Sequence, residues 1–275
     1  MAFSVNTSAS AFIALQNLNQ TNRDLNITQS RINTGLKVAS AKDNGAIFAI
    51  SQSLRSDIGG LNAVKSSLDR AVSTIDVALA AGEAISDLLT ELKEKAVSAK
   101  DTGLDTASRN AINSDFTQLR DQISSIVESA EFNGKNLISA TSTALTAITN
   151  PTGSKTITIG AQDLSLGGSI ISLTAAQTIS TSADASSAVT TISASASGIS
   201  TALSSLGSGA KRLEILKDFI STLSDTIEIG IGNLVDADLA KESANLQAQQ
   251  VKQQLGLEAL SIANGAPATL LSLFS

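Results

Sequence analysis

The sequence predicts a mainly α protein in which long helices form an antiparallel, coiled-coil-like hairpin, the terminal helices pair, and a small β-rich segment lies outermost. Apolar residues recur at helical three- and four-residue spacing over most of the 275 residues. Between Asn136 and Ala210, Ser and Thr dominate and charged residues are rare. Both ends are apolar and nearly uncharged, because no ionisable side chain precedes Arg23 and the last 28 residues carry only Lys252 and Glu258.

The first segment carries a weak helical pattern. Its apolar row repeats every seven residues and consists of Ala11, Leu18, Leu25 and Ile32. Leu15 begins a second row, but Asn22 and Gln29 occupy the next two positions of that row. The apolar stripe is therefore narrow. Gly35 and the Asn44-Gly45 pair mark turns or caps, so we predict a terminal helix that ends before a break around residues 35–45.

The second segment carries the strongest pattern in the chain. Two rows of mainly apolar residues run through it, one made of Leu54, Leu61, Leu68, Ile75, Gly82 and Leu89 and the other of Val64, Ala71, Ala78, Ile85 and Leu92. Rows sustained over this many heptads are typical of coiled-coil packing. They predict one helix from about Ala46 to Lys100, several times longer than the mean of about 11–12 residues in globular proteins.

Two kinds of shorter element follow the turn at DTGLDT. A third helix that stops before Phe132 is predicted by residues spaced alternately by four and three, namely Ile112, Phe116, Leu119, Ile123, Ile126 and Ala130. Further along, ALTAITNPTGSKTITIG predicts two short β-strands around Pro151 and Gly153. The second of these strands alternates through Ile157 and Ile159.

A fourth helix is predicted from about Ala185 to the segment IGIGNLVDAD. Its row consists of Val189, Ile192, Ala196, Ile199, Leu203, Leu206, Ala210, Leu213, Leu216, Ile220, Leu223 and Ile227. Gly198, Gly207 and Gly209 argue for a break, because each glycine in a helix interior costs about 1 kcal/mol relative to alanine. The spacing continues in register across all three glycines, which favours one long helix.

The last helix is predicted to begin near Asp236 or Asp238, since either side chain can cap it and complement the helix dipole. One row of this helix is rich in small residues and consists of Ala237, Ala240, Ala244, Ala248, Val251, Leu255, Ala259 and Ile262, with Leu239, Leu246 and Leu260 alongside. The chain then finishes on Leu270, Leu271, Leu273 and Phe274. Such an apolar ending is unusual, because chain ends are normally solvated.

The composition argues against several classes of protein. The net charge of −6 and the pI near 4.7 argue against a nucleic-acid partner, which needs clustered Lys and Arg. Cysteine, histidine, tyrosine and tryptophan are absent, which removes thiolate chemistry, the commonest general base and the commonest metal ligand. We therefore predict no enzymatic activity and no cofactor. No window reaches the ~18 apolar residues of a membrane span, and the N-terminus lacks a cleaved-signal pattern.

Three short motifs have the composition of chemical sites but simpler interpretations. DNGA at residues 43–46 could form a catalytic loop, yet Asp and Asn before a helix are ordinary caps. The carboxylates Asp236, Asp238 and Glu242 lack the spacing of a calcium loop and suit the first turn of a helix. GIGN at residues 230–233 lacks the third glycine of a nucleotide-binding loop. We predict no catalytic, cofactor or metal site at any of the three.

Three stretches resemble one known family, the bacterial flagellins. RINTGLKVASAKDNGAIFAI at residues 31–50 is similar to the flagellin N-terminal pattern, and AEFNGKNLI at residues 130–138 is similar to its F-N-G segment. NLVDADLAKESANLQAQQVKQQLGLEALSIANGAPATLLSLFS at residues 233–275 resembles the flagellin C-terminus almost throughout. The resemblance covers nearly everything except residues 139–183, and the short middle resembles the minimal flagellins of alphaproteobacteria.

The resemblance implies a filament subunit for swimming motility with a nested architecture. Residues 1–42 and 236–275 would pair as the inner tube, residues 43–138 and 184–235 would form a helical rod domain, and residues 139–183 would be a surface-exposed β/loop segment. It also implies an extracellular location, reached through the flagellar type III secretion apparatus with an export chaperone and without a cleavable signal peptide. Hook-associated proteins, cap proteins and other copies of the chain would be its partners.

The two apolar ends, taken with the resemblance, predict a subunit interface. We expect identical copies to cover these ends, and the ends to become ordered only when many copies stack. The predicted interface residues are Leu15, Leu18, Leu25, Ile32, Leu239, Leu246, Val251, Leu255, Leu260, Ile262, Leu270, Leu271, Leu273 and Phe274.

Three other interpretations stay open at the level of sequence, and one of them, an enzyme, is weakened by the missing site. A hook–filament junction protein would share flagellin-like ends but would be present in few copies. A helical-bundle adaptor or secreted effector could use the same tails to bind a chaperone. Abundant self-polymerisation of the purified protein would favour a flagellin over the junction protein, and an adaptor or effector should keep its main activity when the C-terminal tail is removed.

Overall fold

Five helices and two small β-hairpins make up the part of the chain that a computed structural model describes, residues 8–271 with side chains to residue 265. The helices are α1 (Ala9–Thr34), α2 (Gly45–Ala99), α3 (Thr106–Ser129), α4 (Ser182–Val235) and α5 (Leu239–Leu271). The strands are β1 (Glu131–Phe132), β2 (Lys135–Asn136), β3 (Leu145–Ile148) and β4 (Thr156–Ile159). The predicted fold class, mainly α with a small β segment, is confirmed.

The chain divides into two units, and the divisions fall inside the two longest helices. The terminal unit comprises the residues up to 56 together with those from 226 onward, and the central unit comprises residues 57–225. The first boundary lies within α2 and the second within α4. The three-part division suggested by the resemblance stays a prediction.

The central unit is built around the heptad rows of α2 and the facing row of α4. The α2 rows are almost completely buried at Leu61, Val64, Leu68, Ala71, Ile75, Ala78, Ile85, Leu89 and Leu92. The α4 row is buried at Ile192, Ile199, Leu206, Leu213 and Ile220, and Ala202 beside it is buried as well. Lys217 Nζ lies 2.5 Å from Asp69 Oδ1, and Ser182 Oγ donates to Lys100 O at 2.8 Å. The early part of α2, at Asp69, thus contacts the late part of α4, and the residue after the end of α2, Lys100, contacts the start of α4. The two helices are therefore antiparallel in this unit.

The predicted single long α4 is confirmed, and a close contact explains one of its glycines. A Cβ built on Gly209 would lie 3.1 Å from Ile159 Cγ2. Ile159, at the end of β4, is 5% exposed. The glycine therefore lets the β3–β4 hairpin approach the helix, and the packing of Ile159 offsets the poor helix propensity of glycine.

The predicted strands around Pro151 form an antiparallel hairpin that packs on α2. Leu145 pairs with Ile159 and Ile148 with Thr156, and the backbone N–H of Ile148 donates to Ser67 Oγ at 3.2 Å. Within residues 139–183, however, many apolar side chains are not on the surface: Ala147, Leu164, Ile171, Leu173 and Ile179 are 0–2% exposed. Residues 139–183 therefore contribute buried side chains to the core of the central unit.

A second hairpin, which the periodicity did not predict, follows α3. Glu131 pairs with Asn136 and Phe132 with Lys135. Asn133 and Gly134 have φ angles of 51° and 76°, as the two central residues of a tight hairpin turn require. The predicted end of α3 before Phe132 is confirmed, and the chain reverses immediately after it.

The DNGA motif caps α2, as its simpler interpretation predicts. Asn44 Oδ1 accepts from the Ile47 N–H at 3.1 Å. Asp43 Oδ2 accepts from the N–H groups of Ser40 and Ala39 at 2.8 and 3.1 Å. The hydrogen bonds from Ser40, first its backbone N–H and then its hydroxyl, hold the pKa of Asp43 below its usual value. Asp43 therefore orders the turn before α2.

Candidate functional site: the paired terminal helices

The two terminal helices pair in antiparallel fashion, as the sequence predicts. Arg31 Nη1 donates to Glu242 Oε1 at 3.1 Å, and Gln253 Nε2 donates to Asn22 Oδ1 at 2.7 Å. Nearer the start of α1, a Cβ on Gly256 would lie 3.2 Å from Leu18 Cδ1. Moving toward the N-terminus of α1 therefore means moving toward the C-terminus of α5.

One row of residues on each helix forms the contact between α1 and α5. We call the two rows together the seam. On α1 the seam consists of Ala11, Ala14, Leu18, Thr21, Leu25, Thr28 and Ile32, all buried or half-buried. On α5 it consists of Glu242, Leu246, Gln249, Gln253, Gly256, Leu260 and Ala263. Every other residue of α5 between 239 and 265 is exposed. The alternating three- and four-residue spacing is that of a coiled-coil pair.

The seam buries polar as well as apolar side chains. Leu18 and Leu25 are its buried apolar side chains, whereas Thr28 and Glu242 are equally buried. Arg31 neutralises Glu242, but Glu242 Oε2 has no hydrogen-bond partner in the described part of the chain. A buried carboxylate with one unsatisfied oxygen carries a desolvation penalty. The seam therefore sets the register of the pair more than it stabilises it.

One apolar row of α5 faces away from α1, and we call this side the α5 outer face. Its large members, Val251, Leu255 and Ile262, are 53%, 58% and 74% exposed. Ala244, Ala248 and Ala259 lie on the same face and are also exposed. At about 3.6 residues per turn, this row lies on the opposite side of the helix from the seam. Apolar residues therefore lie on both sides of α5: Leu246 and Leu260 are half-buried in the seam, while the row through Val251, Leu255 and Ile262 stays exposed within one chain.

An α1 outer face exists as well. Phe12 and Ile27 lie on the side of α1 opposite the seam and are 64% and 48% exposed, while Leu15, 43% exposed, lies between that side and the seam. Ile13 is exposed beside them. The terminal unit thus presents exposed apolar residues on each side of the pair, while the contact between its two helices buries only two large apolar side chains, Leu18 and Leu25.

A shallow groove runs along the α5 outer face. Its volume is about 450 Å³, and it is lined by Val251, Gln254, Leu255, Leu257, Glu258 and Ser261. A groove of this kind, open and formed on one helix, suits the side chains of another helix better than a small molecule.

The predicted interface residues fall into four groups. Leu15, Leu239, Val251, Leu255 and Ile262 are exposed. Ile32, Leu246 and Leu260 are half-buried in the seam, while Leu18 and Leu25 are buried in the seam of a single chain. The side chains of Leu270, Leu271, Leu273 and Phe274 lie outside the described residues.

Sequence reasoning missed several exposed apolar residues of the terminal unit, including Phe12, Ile13, Ile27 and Leu257. The seven-residue row through Leu18 and Leu25 predicted one face of α1, and that row proves to be the seam. The signal for the other face was the apolar Phe12 and Ile13, which stand outside the row in a segment with no nearby charge.

Of the carboxylates near the start of α5, Asp238 caps the helix, whereas Glu242 pairs with Arg31 in the seam. Asp238 Oδ1 accepts from the N–H groups of Ala240 and Lys241 at 3.0 and 3.1 Å, which confirms it as the cap. Among the described residues, no group of His, Cys, Asp and Glu is arranged to hold a metal ion. None of the described helices is long and apolar enough to cross a membrane.

Both halves of the chain match known protein families. Residues 5–143 match the bacterial flagellin N-terminal helical region, and residues 174–274 match the bacterial flagellin C-terminal helical region. The two matches include α1 and α5, and therefore the seam and both outer faces.

Similar proteins share most of the chain. Flagellin FljM of Caulobacter vibrioides is 51% identical over 98% of each chain, and a flagellin of Brucella melitensis is 34% identical over 98% of this chain and 99% of its own. A solved structure from Vibrio parahaemolyticus, described as a flagellar hook-associated protein, shares the fold at 15% identity with a TM-score of 0.53, over 70% of this chain and 100% of its own. On the two family matches and these identities, the chain belongs to the bacterial flagellins, the structural subunits of the flagellar filament.

Proposed function

We propose that the α1 and α5 outer faces are the surfaces through which copies of this flagellin join one another in the filament. The observation that carries the proposal is the exposed apolar row of α5: Val251, Leu255 and Ile262 are 53%, 58% and 74% exposed, although α5 is paired with α1 along its other side. Contiguous exposed apolar surface on a soluble chain marks an interaction site. Neighbouring copies are the occupants that a filament supplies.

The position of the two outer faces supports an assembly that continues without closing. They lie on opposite sides of the α1–α5 pair, so a copy bound at one face leaves the other face open. A contact between two different surfaces produces a fibre when the rotation between copies does not close a ring. Leu239 and the four apolar residues at the end of the chain, Leu270, Leu271, Leu273 and Phe274, would extend the same interface.

The finer aspects of location and partnership belong to this proposal. The chain would leave the cell through the flagellar type III secretion apparatus, with an export chaperone and no cleavable signal, and would contact cap and hook-associated proteins in the flagellum. It would have no catalytic role, which agrees with a composition that lacks His, Cys, Tyr and Trp. A junction role is not favoured, because the relatives that match over nearly the full chain are flagellins.

Expression in a flagellated bacterium that lacks its own flagellins tests assembly and export together. We expect extracellular filaments, seen by electron microscopy, and restored swimming. In the same strain without the flagellar export apparatus, the chain should stay inside the cell. A chain that is secreted but never forms filaments would contradict the assembly role, and secretion without the apparatus would contradict the export route.

A further inference from the structure

The terminal helices carry few charges beyond the first turn of α5. In α1 they are Arg23, Asp24 and Arg31, and Arg31 is paired with Glu242 in the seam. In α5 beyond residue 247 the sequence contains only Lys252 and Glu258. In a nearly uncharged interface a single charge has a strong influence on which surfaces can meet.

Arg23 is the cation of the α1 outer face. It lies four residues before Ile27 and three helical turns after Phe12, so all three project from one side of the helix. Its side chain is exposed, and Nη2 donates to Gln20 Oε1 at 2.6 Å. In the described part of the chain no carboxylate forms a salt bridge with Arg23.

Glu258 is the anion of the α5 outer face. It lies three residues after Leu255 and four before Ile262, and it lines the groove beside Leu255. It is exposed and, among the residues described, forms no salt bridge. The other two charges, Asp24 and Lys252, lie toward the sides of their helices. Asp24 directly follows Arg23 and Lys252 directly follows Val251, so each is rotated by about 100° from a residue of its outer face.

We propose that the α1 outer face of one copy packs on the α5 outer face of the next, with Arg23 of the first copy opposite Glu258 of the second. This inference rests on the proposed assembly function and adds which face meets which. Pairing like faces would bring Arg23 toward Arg23, or Glu258 toward Glu258, in an otherwise uncharged contact. Pairing unlike faces brings opposite charges together and leaves one free face of each kind for the next addition.

Reversing the charges separately and together tests the pairing. Arg23→Glu and Glu258→Arg are each expected to raise the critical concentration for assembly on the order of tenfold at low salt, because attraction becomes repulsion. An equal mixture of the two variants, and the double variant in one chain, should return close to the wild-type value, because the opposite charges then meet again. Lys252→Glu is the matched control and should change assembly little.

The outcomes separate the pairing from the function on which it rests. Single variants that assemble like the wild type, or a double variant no better than either single one, would overturn the pairing while the wild type still forms filaments. A wild type that forms none would overturn the proposed function itself. Circular dichroism of each variant below its critical concentration checks that helix content is unchanged, so that a loss of assembly reports the contact.

Discussion

Replacing Val251, Leu255 and Ile262 together by serine is expected to abolish filament growth while the central unit stays folded. These side chains form the exposed apolar row of α5. Complete burial of each by a neighbour contributes roughly 1.5–3 kcal/mol, so the row contributes roughly 4–9 kcal/mol per subunit at most. A loss of about 4 kcal/mol raises the critical concentration about a thousandfold. Sedimentation and electron microscopy of the seeded protein measure the effect.

The matched control is a triple serine variant at exposed polar positions of the same helix, Asn245→Ser, Gln247→Ser and Gln250→Ser. It changes as many residues and introduces as many serines, but it removes no apolar surface. We expect it to assemble close to the wild-type concentration. If the apolar triple variant assembles as well as this control, the α5 outer face is not a contact surface between copies.

Gly60→Ala is expected to displace the β3–β4 hairpin and to lower the free energy of unfolding of the central unit by about 1–3 kcal/mol. A Cβ on Gly60 would lie 2.5 Å from Pro151 Cβ and 2.8 Å from the Pro151 carbonyl oxygen. Because the turn backbone is part of this contact, a side-chain rotation cannot relieve it. Urea denaturation followed by circular dichroism measures the change.

Gly59 provides a matched control one residue away. A Cβ at Gly59 has no neighbour within 4 Å, so Gly59→Ala removes a helix-interior glycine without a clash. It should raise the free energy of unfolding by up to about 1 kcal/mol. The account of the hairpin contact would be wrong if the two alanine variants changed stability in the same direction and by similar amounts.

The helices were predictable from the sequence because their pattern is repeated many times. The rows through Leu61 and Val64 continue for the length of α2, and one misplaced residue does not change the period. The row of α4 likewise continued in register past Gly209. The reason for that glycine was not visible in the sequence, since it depends on Ile159, a residue distant along the chain.

The β1–β2 hairpin and the burial of apolar side chains within residues 139–183 were less predictable. Two strands of two residues are too short to show alternation. The dipeptide Asn133-Gly134 was the available turn signal. Leu164, Ile171 and Leu173 are buried by packing against distant residues, and a Ser- and Thr-rich background conceals their role.

The orientation of the terminal helices could be predicted only in part. The sequence indicated that both ends are apolar and that they pair. It did not indicate that the pair would join through polar residues such as Gln253 and Glu242, with Leu255 facing outward. Within one chain that orientation leaves apolar area exposed, which the proposed contacts between copies would cover.

The central claim, that copies of the chain stabilise the terminal helices, is tested most directly by amide hydrogen exchange of the monomer and the filament. Because the seam buries few apolar side chains, we expect the amides of α1 and α5 to exchange at least on the order of a hundredfold faster in the monomer than in the filament. The amides of α2 from Leu61 onward should be protected in both. Equal, strong protection of α1 and α5 in monomer and filament would contradict the account.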